Sequence, residues 1–212
     1  MVRFGSAGPG FAGFFMSEIK VLAPLLAVLA DLIAWLKAEE VAGVVIGGLA
    51  ASLLGRPRMT RDVDVLVVVD EGRWAGFLAT GAEYGFVPRQ SDSLAFAQQS
   101  RVLLVRHEPS GLDADVVFGS LPFERETVAR AVWVEVGGVR VPLPRPEDLI
   151  ILKAVAHRPQ DLADIEAILA AQPRLNLRRV RRWVQEFSEA LSMPEILRDL
   201  EALLSKGRKR RG

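Results

Sequence analysis

The sequence predicts an α+β domain up to about residue 145, followed by a small helical extension. Short β-branched runs alternate with helical stretches in the first part, whereas from Arg145 onward the apolar spacing is helical. A chain of 212 residues, half of them hydrophobic and a quarter charged, suits one globular domain or one domain with a small appendage.

Residues 1–15 are rich in glycine and phenylalanine and lack the periodicity of a packing element. They read as a disordered arm or a mis-called start, with Met16 the better beginning of a folded domain. The apolar run 21–36 falls short of the roughly 20 residues that span a bilayer and contains Pro24 and Asp31. Leu22, Leu25, Leu26, Leu29, Leu32, Ile33 and Leu36 recur at helical spacing, so the run is expected to be a core helix. Residues 41–46 form the next strand, ending at Gly47 and Gly48, with a helix over 49–54 and a Gly/Pro-containing loop over 55–60. Residues 63–69 make a β-branched strand, and 74–84 a helix. Three further strands are expected at 96–98, 102–107 and 112–118, as an antiparallel set with a turn at 108–111.

A hairpin is expected at 133–136 and 139–141, because Gly137-Gly138 suits a two-residue turn. Pro146, with Glu147 and Asp148 in the first turn, marks a helix start. Further helical runs cover 162–171 and 178–204, the latter interrupted near Pro194. The domain reading is thus an arm at 1–15, a first domain at 16–145, a helical extension at 146–205 and a basic tail at 206–212. No internal repeat is visible.

The absence of cysteine removes disulfides, thiolate metal sites and a cysteine nucleophile, and fits a reducing cytoplasm. Only His107 and His157 are present, which argues against a histidine-rich metal centre. Chemistry must come from carboxylates, hydroxyls, lysines and arginines. The net charge of +1 does not make the whole molecule a polyanion binder. Cations gather at Arg178, Arg179, Arg181 and Arg182 and again at Lys206, Arg208, Lys209, Arg210 and Arg211; a solvated helix face with a frayed tail and an RNA-contacting patch both fit them.

The informative segment is Val45-Ile46-Gly47-Gly48-Leu49-Ala50 followed by Asp62-Val63-Asp64. Glycines between a strand and a helix let a phosphate approach the backbone, where free N–H groups and the helix dipole favour an anion. Two aspartates two apart on a strand project to one face and repel unless a cation joins them. Asp113 and Asp115 interrupt a second apolar strand, where acids have little structural use unless paired or bound to metal. Strand parity places both on one face. Asp115 is preferred as the third ligand because Asp113 follows the Ser110-Gly111 turn, where a strand end is wet.

Together these residues resemble the nucleotidyltransferase superfamily of polymerase-β-like fold, in which a mixed sheet is flanked by helices. The longer string Gly-Gly-x-Ala…Gly-x-x-Arg-x-Thr-x-Asp-x-Asp resembles the branch containing the AbiEii and MenT-type toxins. Pro146-Glu147-Asp148-Leu149, Lys153 and Asp161-Leu162-Ala163-Asp164 resemble that branch's helical element. The likeness runs from about residue 40 to 170. One departure is Gly48, which stands where many members have a serine that contacts phosphate.

The resemblance implies transfer of a nucleoside monophosphate from a triphosphate such as ATP, with two divalent ions, Mg2+ or else Mn2+. Asp62 and Asp64 would hold the nucleotide-associated ion, and Asp115 would join them on the second. Gly47 and Gly48 would offer backbone N–H groups to the nucleotide. Arg58 and Lys153 would either neutralise triphosphate charge or form salt bridges, and Thr60 would either orient an aspartate or form a turn. Asp161 and Asp164 read as structural partners of Arg158 or Lys153. The implied acceptor is RNA, such as a tRNA end, or a protein hydroxyl, and a toxin would have a cognate antitoxin. A non-catalytic protein that keeps the fold to bind a nucleotide or a partner is the alternative.

Overall fold

A computed structural model describes residues 9–60 and 62–209, with side chains described for 23–60 and 62–206. Helix α1 (Pro9–Ala38) leads into strand β1 (Gly43–Ile46), helix α2 (Gly47–Leu54) and strand β2 (Asp62–Val67). A 3-10 turn (Glu71–Arg73), helix α3 (Trp74–Glu83), strand β3 (Phe86–Pro88), helix α4 (Ser93–Ser100) and strands β4 (Val102–His107) and β5 (Leu112–Phe118) follow. The chain continues through α5 (Pro122–Ala129) and the hairpin β6 (Val132–Val136) and β7 (Val139–Leu143). It ends with four helices, α6 (Pro146–Ala156), α7 (Pro159–Ala171), α8 (Leu177–Ala190) and α9 (Pro194–Lys209).

The main sheet has five strands in the order β1-β2-β5-β4-β3. β2 and β5 run parallel, while the other neighbours are antiparallel, which makes the sheet mixed. Its two faces differ because side chains alternate along each strand. On one face Val45, Val63, Val65, Leu103, Val105, Ala114 and Val116 are fully buried. The α1 stripe packs into this core through Leu29, Leu32 and Leu36, with Trp35 the largest buried contributor. Trp35 stacks on Phe77 at 4.2 Å between ring centroids and donates its indole N–H to the Phe77 carbonyl at 2.9 Å. A buried indole needs such an acceptor. The opposite face carries Asp62, Asp64, Asp113 and Asp115 at one end and a small apolar group, Val44 and Leu66 under Val128 of α5, at the other.

Buried residues of α6 to α9, among them Leu149, Ile165, Val184 and Leu200, belong to the same contiguous core as the sheet. α1 begins at Pro9, ahead of Met16, whereas residues 1–8 of the expected arm lie outside the described residues. The same holds for residues 210–212 of the expected basic tail. Among the described residues no helix is long and apolar enough to cross a membrane.

The expected strand at 96–98 is instead the middle of α4. Three alternating residues are too few to specify a strand, and Ala95, Ala97 and Gln98 are good helix formers. Ser100 closes the helix by donating to the Phe96 carbonyl at 2.8 Å, and Arg101 leaves it in the left-handed region. β3 and α5 were not expected from the sequence. The three-residue β3 is too short to show a period. α5 starts with Pro122 at its first turn and Glu124 accepting the N–H groups of Ser120 and Leu121 at 2.7 and 2.8 Å.

Candidate active site

The site begins at the turn from β1 to α2. Ile46 is extended, Gly47 has φ +64°, and the helix starts at once. The β1–β2 register sets Ile46 opposite Asp64, which brings Gly47 over that side chain. A Cβ on Gly47 would lie 1.7 Å from Asp64 Oδ2, so only glycine leaves room for the carboxylate. The Gly48 N–H hydrogen-bonds Asp64. A Cβ on Gly48 would meet Arg58 Nη2 at 2.9 Å and Thr60 Cγ2 at 3.1 Å. Gly47, Gly48, Arg58, Thr60 and Asp64 are therefore gathered at one place. The Gly48 N–H, expected to face a phosphate, is directed to the carboxylate instead.

Parallel pairing of β2 and β5 sets Asp62 beside Asp113 and Asp64 beside Asp115. Neighbouring strands lie about 4.8 Å apart, so four acids occupy one patch. Asp64 is partly buried, and its pKa is pushed up to about 6 by burial first and then by the charges of Asp62 and Asp115. Asp115 is also pushed up, by burial above all, with Asp62 and Asp113 adding to it and Arg89 opposing. Asp62 is exposed.

Cations surround this patch in two layers. Arg89, just beyond β3, reaches across β4 to β5; its Nη1 lies 3.1 Å from Asp113 Oδ2 and its Nη2 contacts Asp115 Oδ1. Arg106 Nη1 adds a second contact to Asp113 at 3.2 Å. On the other side Arg58 forms a two-pronged pair with Asp164, both bonds at 3.0 Å. Arg158 Nε lies 2.7 Å from Asp161, and its charge also acts on Asp64 and Asp62. Lys153, only 5% exposed, joins these pairs: its Nζ is 2.9 Å from Asp161 and 2.8 Å from Asp164. Burial would raise both aspartates, but Arg158 and Lys153 on Asp161, and Arg58 and Lys153 on Asp164, hold them below the ordinary range. Asp161 and Asp164 thus pair with Arg158 and Lys153 as expected. Lys153 stands one carboxylate removed from the acidic patch, behind Arg58 and Arg158.

Sequence reasoning missed Arg89 and Arg106. Arg106 shares a face with Leu104 and could have been found by strand parity once β4 was paired with β5. Arg89 carried no local signal. The depth expected to separate Asp113 from Asp115 is slight, at 35% and 32% side-chain exposure; their partners separate them instead. Within the basic cluster of α8, Arg179 pairs with Asp148 and Glu126, and Arg181 with Glu201. Those two cations are engaged within the molecule.

A mixed five-stranded sheet with carboxylates matched across two parallel strands beside a glycine turn is the architecture of a nucleotidyltransferase. The chain belongs to the family described as nucleotidyltransferase of unknown function (DUF6036), matched over residues 23–203. Among solved structures it is similar to the antibiotic-resistance factor ANT(2'')-Ia, at 15% identity and TM-score 0.51, over 85% of this chain and 96% of that one. It is also similar to an antigenic nucleotidyltransferase-like protein from Paracoccidioides brasiliensis, at 17% identity and TM-score 0.48, over 82% and 92%. A third likeness is to the lincosamide antibiotic adenylyltransferase LnuA, at 13% identity and TM-score 0.47, over 66% and 94%. No functionally curated protein matches the chain.

Proposed function

We propose that this protein transfers a nucleoside monophosphate from a nucleoside triphosphate such as ATP to an acceptor hydroxyl, with RNA, a tRNA end included, as the leading acceptor and a protein hydroxyl second. The observation that carries this reading is the in-register placement of Asp62 and Asp64 beside Asp113 and Asp115, next to the Gly47-Gly48 turn. In the reaction the acceptor oxygen bonds to the α-phosphorus, the bond to the bridging oxygen breaks, the hydroxyl proton is lost and pyrophosphate departs.

The donor set fits Mg2+ or Mn2+, since carboxylate oxygens are hard ligands, and Asp64 is raised first by burial and then by the charges of Asp62 and Asp115, a repulsion that a divalent cation would relieve. Asp62 and Asp64 would hold the nucleotide-side ion, and Asp115 would join them on the second. As the side chains stand, no three acidic or imidazole groups among the described residues converge closely enough to enclose an ion, and Asp115 is engaged by Arg89. Bound metal would supply charge neutralisation and activation of the acceptor hydroxyl.

The remaining roles belong to the chain. Gly47 keeps the Asp64 carboxylate in place by offering no side chain, and the Gly48 N–H orients it. Arg58 and Arg158 flank β2 with positive charge suited to a triphosphate, and Thr60 packs beside Arg58 at Gly48. Lys153 positions both arginines through Asp164 and Asp161. The likeness of the Gly-Gly-x-Ala and Lys…Asp…Asp strings to toxin nucleotidyltransferases supports RNA as acceptor, a cytoplasmic setting and a cognate antitoxin.

Incubation with labelled nucleoside triphosphates, Mg2+ or Mn2+ and total cellular RNA tests the reading. Label entering RNA with pyrophosphate release, lost in Asp64→Asn, is expected. Label entering protein alone would move the acceptor to the second choice, and absence of pyrophosphate with every acceptor would refute transfer.

A further inference from the structure

The carboxylate assigned above as the third ligand is already occupied by a cation of the chain itself. We propose that Arg89 is a displaceable counter-ion which competes with a divalent cation for Asp115, so that the second metal position opens only when this guanidinium moves away. The inference rests on the assignment of Asp62, Asp64 and Asp115 as metal ligands.

The geometry favours exchange over a fixed strut. Arg89 is anchored by its backbone, whose N–H donates to the Leu104 carbonyl at 3.0 Å, directly after the edge strand β3. Leu104 is the residue opposite Asp115 across the β4–β5 pair. The arginine therefore starts with one strand, β4, between it and its target and reaches over Leu104 with a long, flexible stem. Its two nitrogens are divided between Asp113 and Asp115. Asp113 has a second guanidinium in Arg106, so departure of Arg89 would leave Asp113 neutralised and only Asp115 without its counter-ion.

Exposure points the same way. Arg89 and Asp115 retain 28% and 32% side-chain exposure, so water reaches the pair. Partly exposed ion pairs contribute little because solvent screens them, and Asp115 is held by a single guanidinium nitrogen, against which a doubly charged ion that binds oxygen directly can compete. The arginines on the other flank are built differently. Arg58 and Arg158 are tied to Asp164 and Asp161, which are themselves nearly buried against Lys153, and they touch neither Asp62 nor Asp64 through a direct ion pair. A divalent cation on Asp115 would stand beside the Arg89 guanidinium as a like charge and draw on the same carboxylate, so each disfavours the other.

Mn2+ titration followed by the electron paramagnetic resonance of the free ion tests this without reference to activity. Arg89→Gln, which keeps length but not charge, is expected to bind Mn2+ about three- to tenfold more tightly than the unaltered protein. Arg89→Lys, which keeps the charge but lacks the fork, is expected to fall between the two and serves should Arg89→Gln fold poorly. Asp115→Asn added to Arg89→Gln should remove the gain. Equal or weaker Mn2+ binding in both Arg89 variants, while Asp64→Asn still lowers affinity, would overturn the inference and leave the metal assignment standing. Equal binding by the unaltered protein and Asp64→Asn would sink the metal assignment, and the inference with it.

Discussion

Gly47 and Asp64 occupy one space: the carboxylate of Asp64 fills the volume that any side chain at position 47 would need, with Oδ2 1.7 Å from where a Cβ would stand. Gly47 also sits at φ +64°, where an L side chain adds strain of about 1 kcal/mol. Gly47→Ala is therefore expected to displace Asp64 and lower pyrophosphate release by more than about 100-fold, a loss typical of a misplaced catalytic group. At Gly48 the nearest obstacle is the far end of the flexible Arg58 chain, at 2.9 Å. Gly48→Ala should therefore lose much less activity. Equal loss in the two variants, with both folded by circular dichroism, would contradict the assignment.

Asp115→Asn should abolish metal-dependent transfer with the fold intact, as should Asp62→Asn and Asp64→Asn. Asp113→Asn should retain substantial activity. The two residues share a face and nearly the same exposure, but Asp115 lies beside Asp64 whereas Asp113 lies beside the exposed Asp62 and carries two guanidiniums. Removing a ligand unbalances the site, whereas neutralising a charge-compensated neighbour alters the field modestly. Steady-state assays of the four variants check the ranking, and the reverse order for Asp113 and Asp115 would refute it.

The parts of this site that were legible in the sequence are those written in local pattern. The glycine turn, the Asp62-Val63-Asp64 alternation and the acids at 113 and 115 each declare a strand face within a few residues. What the pattern could not supply was the pairing. Parallel neighbours β2 and β5 are separated by α3, β3, α4 and β4 in the chain, and their register is a tertiary outcome. Arg89 follows a three-residue strand with no readable period and acts on acids two strands away. The pairing of Asp161 with Arg158 was foreseeable because both lie within one turn at the start of α7. The burial of Lys153 between Asp161 and Asp164 depends on how α6 packs against α7, which spacing does not fix.

Lys153 and Arg158 should separate stability from function. Lys153 is buried between two carboxylates, and its removal leaves both without a shared counter-ion. Breaking a buried pair in this way costs about 3–5 kcal/mol. Lys153→Met is expected to lower the denaturation midpoint strongly. Arg158 has 73% side-chain exposure, so its pair with Asp161 contributes at most about 1 kcal/mol. Arg158→Ala should leave the midpoint nearly unchanged while raising the KM for the triphosphate. Similar midpoints in urea for the two variants would refute the layered arrangement.

The acidic patch should make the metal-free protein weaker at neutral pH than at low pH through Asp64. Its carboxyl is raised from the ordinary 3.8 to about 6, so between those values the folded state binds more protons than the unfolded one. The contribution of Asp64 to stability is then fully present below about pH 4 and is lost as pH rises through about 6. Asp64→Asn removes this term and keeps a similar shape, so the variant should be more stable than the unaltered protein by on the order of 1–2 kcal/mol at pH 8, after allowance for solvent screening. Below pH 4 the advantage should vanish. Divalent cation should reverse the ranking at pH 8, because it stabilises the folded form through an ionised Asp64 that the variant lacks. Chemical denaturation in chelator at pH 4, 6 and 8, repeated with Mn2+ at pH 8, measures the difference. A gain from Asp64→Asn that is independent of pH would show that the carboxyl is not raised by its neighbours and its burial.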